Sequence, residues 1–233
     1  MTLVSVRGLV KNYAGLRPLR IQSLDVQPGQ LVSIVGLDAQ AAEVLVGLLT
    51  GALLPDEGEV RLFDRSTKDV SDGDAWLAML DGVGIMTERA VLIEQFSVEQ
   101  NIAMPFTLEI DPVASDVRPH VEALSRELGL DAAMWQTPVG RVSAEAQTRV
   151  RLARALALRP KLLLAEHPSA SLPRDRVAQV AADLARVAQA RELAVLTITA
   201  DREFARALGG DVLTHEPATG ALKPQGVWRR LFG

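Results

Sequence analysis

Residues 141–173 read RVSAEAQTRVRLARALALRPKLLLAEHPSASLP. Val142 and Ser143 open as a loop, and the Arg- and Ala-rich run after them has helical composition. Arg159-Pro160 is a turn, because a residue that precedes proline is pushed out of the helical region. Leu162-Leu163-Leu164-Ala165 then runs apolar without alternation, as a strand buried on both faces does. It ends on the titratable pair Glu166-His167. Loop, helix, turn and buried strand is the order this stretch dictates.

The chain has 233 residues, 48% of them hydrophobic and only 4% aromatic, so its core must come from Leu, Val, Ile and Ala. A formal charge of −4 and a pI near 5.5 argue against nucleic-acid binding, which needs a basic footprint. Cys is absent, which excludes disulfides and thiolate metal sites. The start, MTLVSVRGLVKNY, alternates like a strand and lacks the apolar run of a signal peptide. No run approaches the roughly 20 apolar residues a membrane-spanning helix requires. A soluble, cytoplasmic chain is the expectation.

Toward the N-terminus, residues 2–7 and 20–26 alternate as half-buried strands do, with Tyr13 in the loop between them. Pro28-Gly29 signals a turn, and residues 31–35 (LVSIV) predict a second doubly buried strand. Gly36 ends that strand, and residues 41–49 have helical composition. Strand, glycine, short loop and helix is the arrangement in which backbone N–H groups and a helix N-terminus hold phosphate. Its full motif is G-x-x-x-x-G-K-[ST]. Of that motif, Gly36-Leu37-Asp38-Ala39-Gln40-Ala41-Ala42-Glu43 keeps only the first glycine. Ala42 stands where Lys would reach the phosphates, and Glu43 where a hydroxyl would bind Mg²⁺. Ala39 and Ala41 stand where glycines would let the backbone come close. The plain alternative is an ordinary strand-to-helix turn capped by Asp38.

The missing Lys removes a charge-assisted bond of about 1.5–3 kcal/mol. A carboxylate about 4 Å from a phosphate charge adds up to about 4 kcal/mol of repulsion at an effective dielectric near 20. Half of that total weakens nucleotide binding about a hundredfold.

The remaining segments supply a resemblance. Residues 55–64 (PDEGEVRLFD), 83–88 (VGIMTE), 96–105 (FSVEQNIAMP) and 141–173 follow one another in a fixed order. Helical runs at 118–130 and 175–191 and a strand at 194–199 complete it. Together with the loop at Gly36 they resemble, from Val4 to about Val212, the nucleotide-binding domain of ATP-binding cassette (ABC) proteins. The wording is nearest to the lipoprotein-release, macrolide-export and cell-division branch. The resemblance implies an α/β P-loop fold with a mostly parallel core sheet, an N-terminal antiparallel part and an inserted helical subdomain. Residues 1–88 and 158–233 would form the core, and residues 89–157 the helical subdomain.

The resemblance also assigns positions. Tyr13 takes the place of the aromatic that stacks on adenine, and Glu88 that of the Q-loop glutamine. Ser143, Ala144, Glu145 and Gln147 take the signature segment, where Ala144 and Glu145 replace its glycines. Glu166 stands for the Walker B Asp, His167 for the catalytic Glu and Ala200 for the switch His. Asp38, Glu43, Glu166 and His167 could together line an acidic, cation-binding pocket, but neighbours on a strand point to opposite faces and no metal site is assigned. The tail GVWRRLFG at 226–233 is read as a frayed or packing segment, or as a contact for a partner or membrane.

Three functions follow. The first is a pseudo-ATPase subunit with no cofactor, structural or regulatory in a membrane transport or envelope complex. It would dock on an ABC permease or pair with a second ABC ATPase subunit, on the inner face of the membrane. The second is an active ATPase with non-standard motifs, powering export or lipid and lipoprotein transport, with ATP and Mg²⁺ as cofactors. The third is a nucleotide-free binding protein.

Overall fold

The computed structural model describes residues 1–225; the tail at 226–233 lies outside the described residues. Its framework is two sheets. The smaller is antiparallel, built from β1 (Val4–Lys11), β2 (Leu19–Val26), β4 (Glu57–Leu62) and β5 (Arg65–Ser66) in the order β2-β1-β4-β5. The larger comprises β3 (Leu31–Val35), β6 (Val83–Met86), β7 (Leu162–Glu166), β8 (Ala194–Thr199), β9 (Asp211–Glu216) and β10 (Ala221–Pro224). Its order is β10-β9-β3-β8-β7-β6, and every pair but β9–β10 is parallel.

The two apolar runs singled out in the sequence lie centrally in this sheet, on either side of β8, with Leu31 opposite Val195 and Leu162 opposite Ala194. All of β7 and β8 is buried. Helices cover the sheet: α1 (Ala39–Leu49), α2 (Gly73–Leu80), α3 (Val98–Ala103), α4 (Arg118–Glu127), α5 (Ala144–Leu156), α6 (Arg174–Ala190) and α7 (Arg202–Leu208). The core divides in two. One half joins the antiparallel sheet and α1 to one set of side chains from β3, β7 and β8. The other packs α3 to α7 against the alternate side chains of β7 and β8.

Helix starts follow capping chemistry. α1 begins at Ala39, two residues before its apolar pattern, because the Asp38 side chain accepts from the Ala41 N–H at 2.8 Å. Ser97 and Gln100 form a reciprocal capping box on α3, and Ser143 caps α5. The polar stretch from Ser66 to Asp81 contains a 3₁₀ turn at Thr67–Asp69 and then α2, capped by Asp72. Arg159 adopts φ +53° at the turn before β7, so the chain reverses there without glycine.

Candidate functional site

The polar residues gather at the C-terminal ends of β3, β6, β7 and β8, as expected for an open α/β sheet. Gly36 leaves β3 with φ +99°, and a Cβ there would lie 3.3 Å from the His215 carbonyl oxygen. Only glycine fits this turn. Tyr13, Gly36, Asp38 and Ala41 then line one cavity of about 370 Å³, with Leu16, Arg17 and His215. Burial, and next the Asp38 carboxylate, push the Tyr13 hydroxyl above its usual titration range.

At the helix end of this loop the side chains are already engaged. The Asp38 carboxylate holds the Ala41 N–H, one of the donors a phosphate would use. Ala42 is fully buried, its methyl part of the core. Glu43 is not a free carboxylate: its Oε2 lies 2.6 Å from Nη1 of Arg89. Nη2 of the same guanidinium lies 2.5 Å from Oε2 of Glu166, whose side chain is only 7% exposed. Arg89, in the loop after β6, therefore joins the first turn of α1 to the end of β7. The repulsion expected from a bare Glu43 is reduced accordingly, because the residue is half of an ion pair.

His167 follows Glu166 with φ +44°, its N–H donating to the Ile198 carbonyl at 2.8 Å and its Nε2 buried without a partner. It shares a cavity of about 270 Å³ with Ala200, Ser169, Arg174 and Asp201. Asp201 caps α7 and accepts from Ser169 Oγ and from Arg174 Nη1, each at 2.9 Å. Glu88 accepts from Ser171 Oγ at 2.9 Å and lies 3.7 Å from Arg151.

The signature residues are placed by helix chemistry instead. Ser143 accepts from the Ala146 N–H, Ala144 and Glu145 form the first turn of α5, and Gln147 donates to the Val139 and Val142 carbonyls. Glu145 pairs with Arg149, which also binds Asp183 on α6 and the Leu128 carbonyl. These bonds run within the helical layer and not to residues 36–43.

Asp38, Glu43, Glu166 and His167 do not combine into one cation pocket. Among the described residues no group of three or more Asp, Glu or His side chains gathers at a metal site. Asp38 is turned to α1, His167 lies in the other cavity, and Glu43 and Glu166 share Arg89. Arg89 is the residue that sequence reasoning missed. The available signal was electrostatic: two carboxylates converging at neighbouring strand ends require a counter-charge.

The ABC transporter family matches residues 19–170. The chain belongs to this family. It is 34% identical over 215 residues to the lipoprotein-releasing system ATP-binding protein LolD 2 of Caulobacter vibrioides, covering 88% of this chain and 90% of that protein. It is 29% identical to LolD of Acinetobacter baylyi, over 79% of this chain and 80% of that protein. Among solved structures, CbiO1 of Clostridium perfringens, part of an ABC transporter complex, superposes with TM-score 0.77 at 17% identity, over 95% of this chain and 86% of that one. The cassette MJ0796 bound to ADP and Pi gives TM-score 0.74 at 21% identity, over 94% of this chain and 96% of that one. The fold is that of these cassettes.

These findings correct one expectation. A chain without cofactor does not agree with a family of ATP-binding proteins, and ATP with Mg²⁺ is what membership implies. The residues fit that ligand unevenly. The cavity at Tyr13 suits an aromatic base, and the N-terminus of α1 offers backbone donors. Glu43 and Glu166 are hard oxygen donors of the type a divalent cation takes, held at present by Arg89. A cation from position 42 is missing.

Proposed function

We propose that this chain is the ATP-binding subunit of a membrane transport or envelope complex and that it binds nucleotide with little turnover, acting as a structural or regulatory pseudo-ATPase. The observation that carries this reading is the state of residues 36–43: a fully buried Ala42, with Asp38 and Glu43 both engaged by the protein itself. No side-chain cation of this loop faces the phosphates, so charge developing on them in a transfer reaction goes unstabilised. His167 and Ala200 add to this. An imidazole stands at position 167 where the resemblance expects a carboxylate base, and the methyl group of Ala200 carries no hydrogen-bonding function.

Residues 89–157 serve as the helical subdomain in this reading. The chain works with a transmembrane permease, and pairs with a second copy or a second ATP-binding subunit at the inner face of the membrane. Among the described residues no helix is long and apolar enough to cross a membrane, so attachment comes through the partner. The exposed side chains of Val91, after β6, and Leu108, after α3, offer apolar contact to it.

Binding and turnover of ATP by the purified chain, with Mg²⁺ present, test the proposal. The expected result is measurable binding with turnover below about 0.01 s⁻¹, a hundredfold under the lower end of ordinary enzymes. Turnover near 1 s⁻¹ overturns it in favour of the second reading, an active ATPase, for which the likeness to LolD suggests lipoprotein or lipid export.

A further inference from the structure

We infer that Arg17, on the loop between β1 and β2, holds the phosphates of a nucleotide whose base lies at Tyr13, in place of the lysine absent from position 42. Arg17 lines the cavity of about 370 Å³ that also contains Tyr13, Asp38 and Ala41. Among the described residues that line this cavity, it is the one Arg or Lys. The inference rests on the nucleotide-binding reading and adds to it the residue that supplies the counter-charge.

The sequence sets the course of this loop. β1 and β2 pair as far as Lys11 and Leu19, so residues 12–18 form the whole connection. Its start is pinned by Asp56, which accepts from Lys11 Nζ at 2.8 Å and from the Asn12 N–H at 2.7 Å. Gly15 then passes against the Tyr13 ring, where a Cβ would lie 2.5 Å from the ring carbon Cζ. A larger residue at position 15 would push the ring aside. Pro18 biases Arg17 before it toward extended backbone, and itself lines the cavity. One short loop thus brings two groups to one cavity: a flat aromatic ring for a base, and a guanidinium of the kind that binds phosphate through paired donors.

Charge separates this residue from its neighbours. Lys11 is engaged by Asp56, whereas Arg17 is exposed and has no ion-pair partner among the described residues. On the α1 side, Asp38 fixes a negative charge, its carboxylate accepting from the Ala41 N–H at 2.8 Å. The cavity is therefore positive toward the β1–β2 loop and negative toward the start of α1. Phosphates joined to a base at Tyr13 are attracted by the first and repelled by the second. Arg17 does not line the other cavity, where His167, Ala200 and Asp201 lie, so phosphates held by it stand apart from those side chains. Affinity without fast turnover is what such a placement gives. Because Arg17 is exposed, solvent and salt screen its attraction, which keeps the effect to about tenfold in affinity.

ATP and adenosine are each titrated calorimetrically into the full chain without Mg²⁺, so that no metal ion masks the charge of the phosphates. The wild-type protein should bind ATP about tenfold or more tightly than adenosine. Arg17→Met, which keeps an apolar stem, should lose about tenfold in ATP affinity and nothing in adenosine affinity. Arg17→Lys should recover part of that loss, and Arg17→Glu should bind ATP more weakly than Arg17→Met. Raising the ionic strength should weaken ATP binding by the wild type more than by Arg17→Met. Equal ATP affinity in the wild type and Arg17→Met overturns the inference. A parallel loss of ATP and adenosine overturns it as well, because Arg17 would then only shape the base cavity. Unaltered adenosine binding verifies in each variant that the cavity is intact. If the wild type binds neither ligand, the nucleotide-binding reading fails and the inference with it; if ATP binds tightly and indifferently to position 17, the inference fails alone. ATP turnover enters none of these readouts.

Discussion

Restoring Lys at position 42 and Ser at position 43 should tighten ATP binding, by an amount set by the surroundings of those two residues. The Lys contributes one charge-assisted hydrogen bond to phosphate, about 1.5–3 kcal/mol, or about 10- to 150-fold. Removing Glu43 relieves repulsion, but less than a bare carboxylate would, because Arg89, shared with Glu166, lies 2.6 Å from it and offsets part of its field. About 1 kcal/mol, roughly fivefold, is left for a pair this exposed. The double variant Ala42→Lys/Glu43→Ser should therefore bind ATP about 50- to 750-fold more tightly, most of it visible in Ala42→Lys alone. Position 42 is fully buried, so the Lys stem must leave along the core surface before its ammonium reaches the loop. Overpacking there costs about 1–3 kcal/mol of stability. The assay is calorimetric titration with ATP and Mg²⁺, alongside thermal unfolding to establish that both variants fold. A folded double variant gaining less than threefold would refute the claim that the missing cation weakens this loop.

Other consequences are measurable. Arg149 is 10% exposed and serves Asp183, Glu145 and the Leu128 carbonyl together, so Arg149→Ala should lower the unfolding free energy by about 3 kcal/mol in urea titration. Asp38→Ala should cost α1 about 1 kcal/mol of capping, and should let the Tyr13 hydroxyl titrate lower by removing a neighbouring negative charge. Asp56 accepts from Lys11 Nζ at 2.8 Å and from the Asn12 N–H at 2.7 Å, which holds its carboxyl at a pKa of about 2. Its folded value lies below the unfolded one, so its contribution is complete above about pH 4 and disappears as pH falls toward 2. The stability gap between wild type and Asp56→Asn should accordingly narrow over that interval; a constant gap would count against the assignment.

The architecture was legible in the sequence where the physics is local or periodic. Residues 31–35 and 162–165 read as doubly buried strands because unbroken apolar runs have no solvent face, and both lie inside the larger sheet. Helix boundaries were legible to within a few residues, with errors at caps such as Asp38, whose side-chain bond starts α1 two residues before the apolar pattern. The site was legible only in part. Tyr13 and Gly36 could be placed together by order, and share a cavity. Arg89 could not, since its partners are 46 and 77 positions away in the numbering (89 − 43 and 166 − 89), and no periodicity links them. The engagement of Glu43 therefore escaped the sequence-based electrostatics, as did the second cavity, which His167 lines with Ser169, Arg174 and Asp201.

The departures from the phosphate-loop pattern are not independent of one another. Glu43 is tolerable beside a phosphate-binding loop only while Arg89 neutralises it, and Arg89 can span the gap because Glu166 stands at the end of β7. Glu166 is one methylene longer than the Asp the resemblance expects there. Its side chain is almost fully buried, so it cannot lose its counter-ion cheaply: breaking a buried pair costs about 3–5 kcal/mol, less here because Arg89 is 45% exposed. Glu43, Arg89 and Glu166 thus form one coupled set, with two carboxylates sharing a single guanidinium. Reverting position 43 alone leaves Arg89 with a single partner, and reverting position 166 to a shorter carboxylate stretches the remaining bond. A loop restored at positions 42 and 43 therefore leaves Arg89 on Glu166 alone, so position 89, which that motif does not contain, shares in setting the size of the gain.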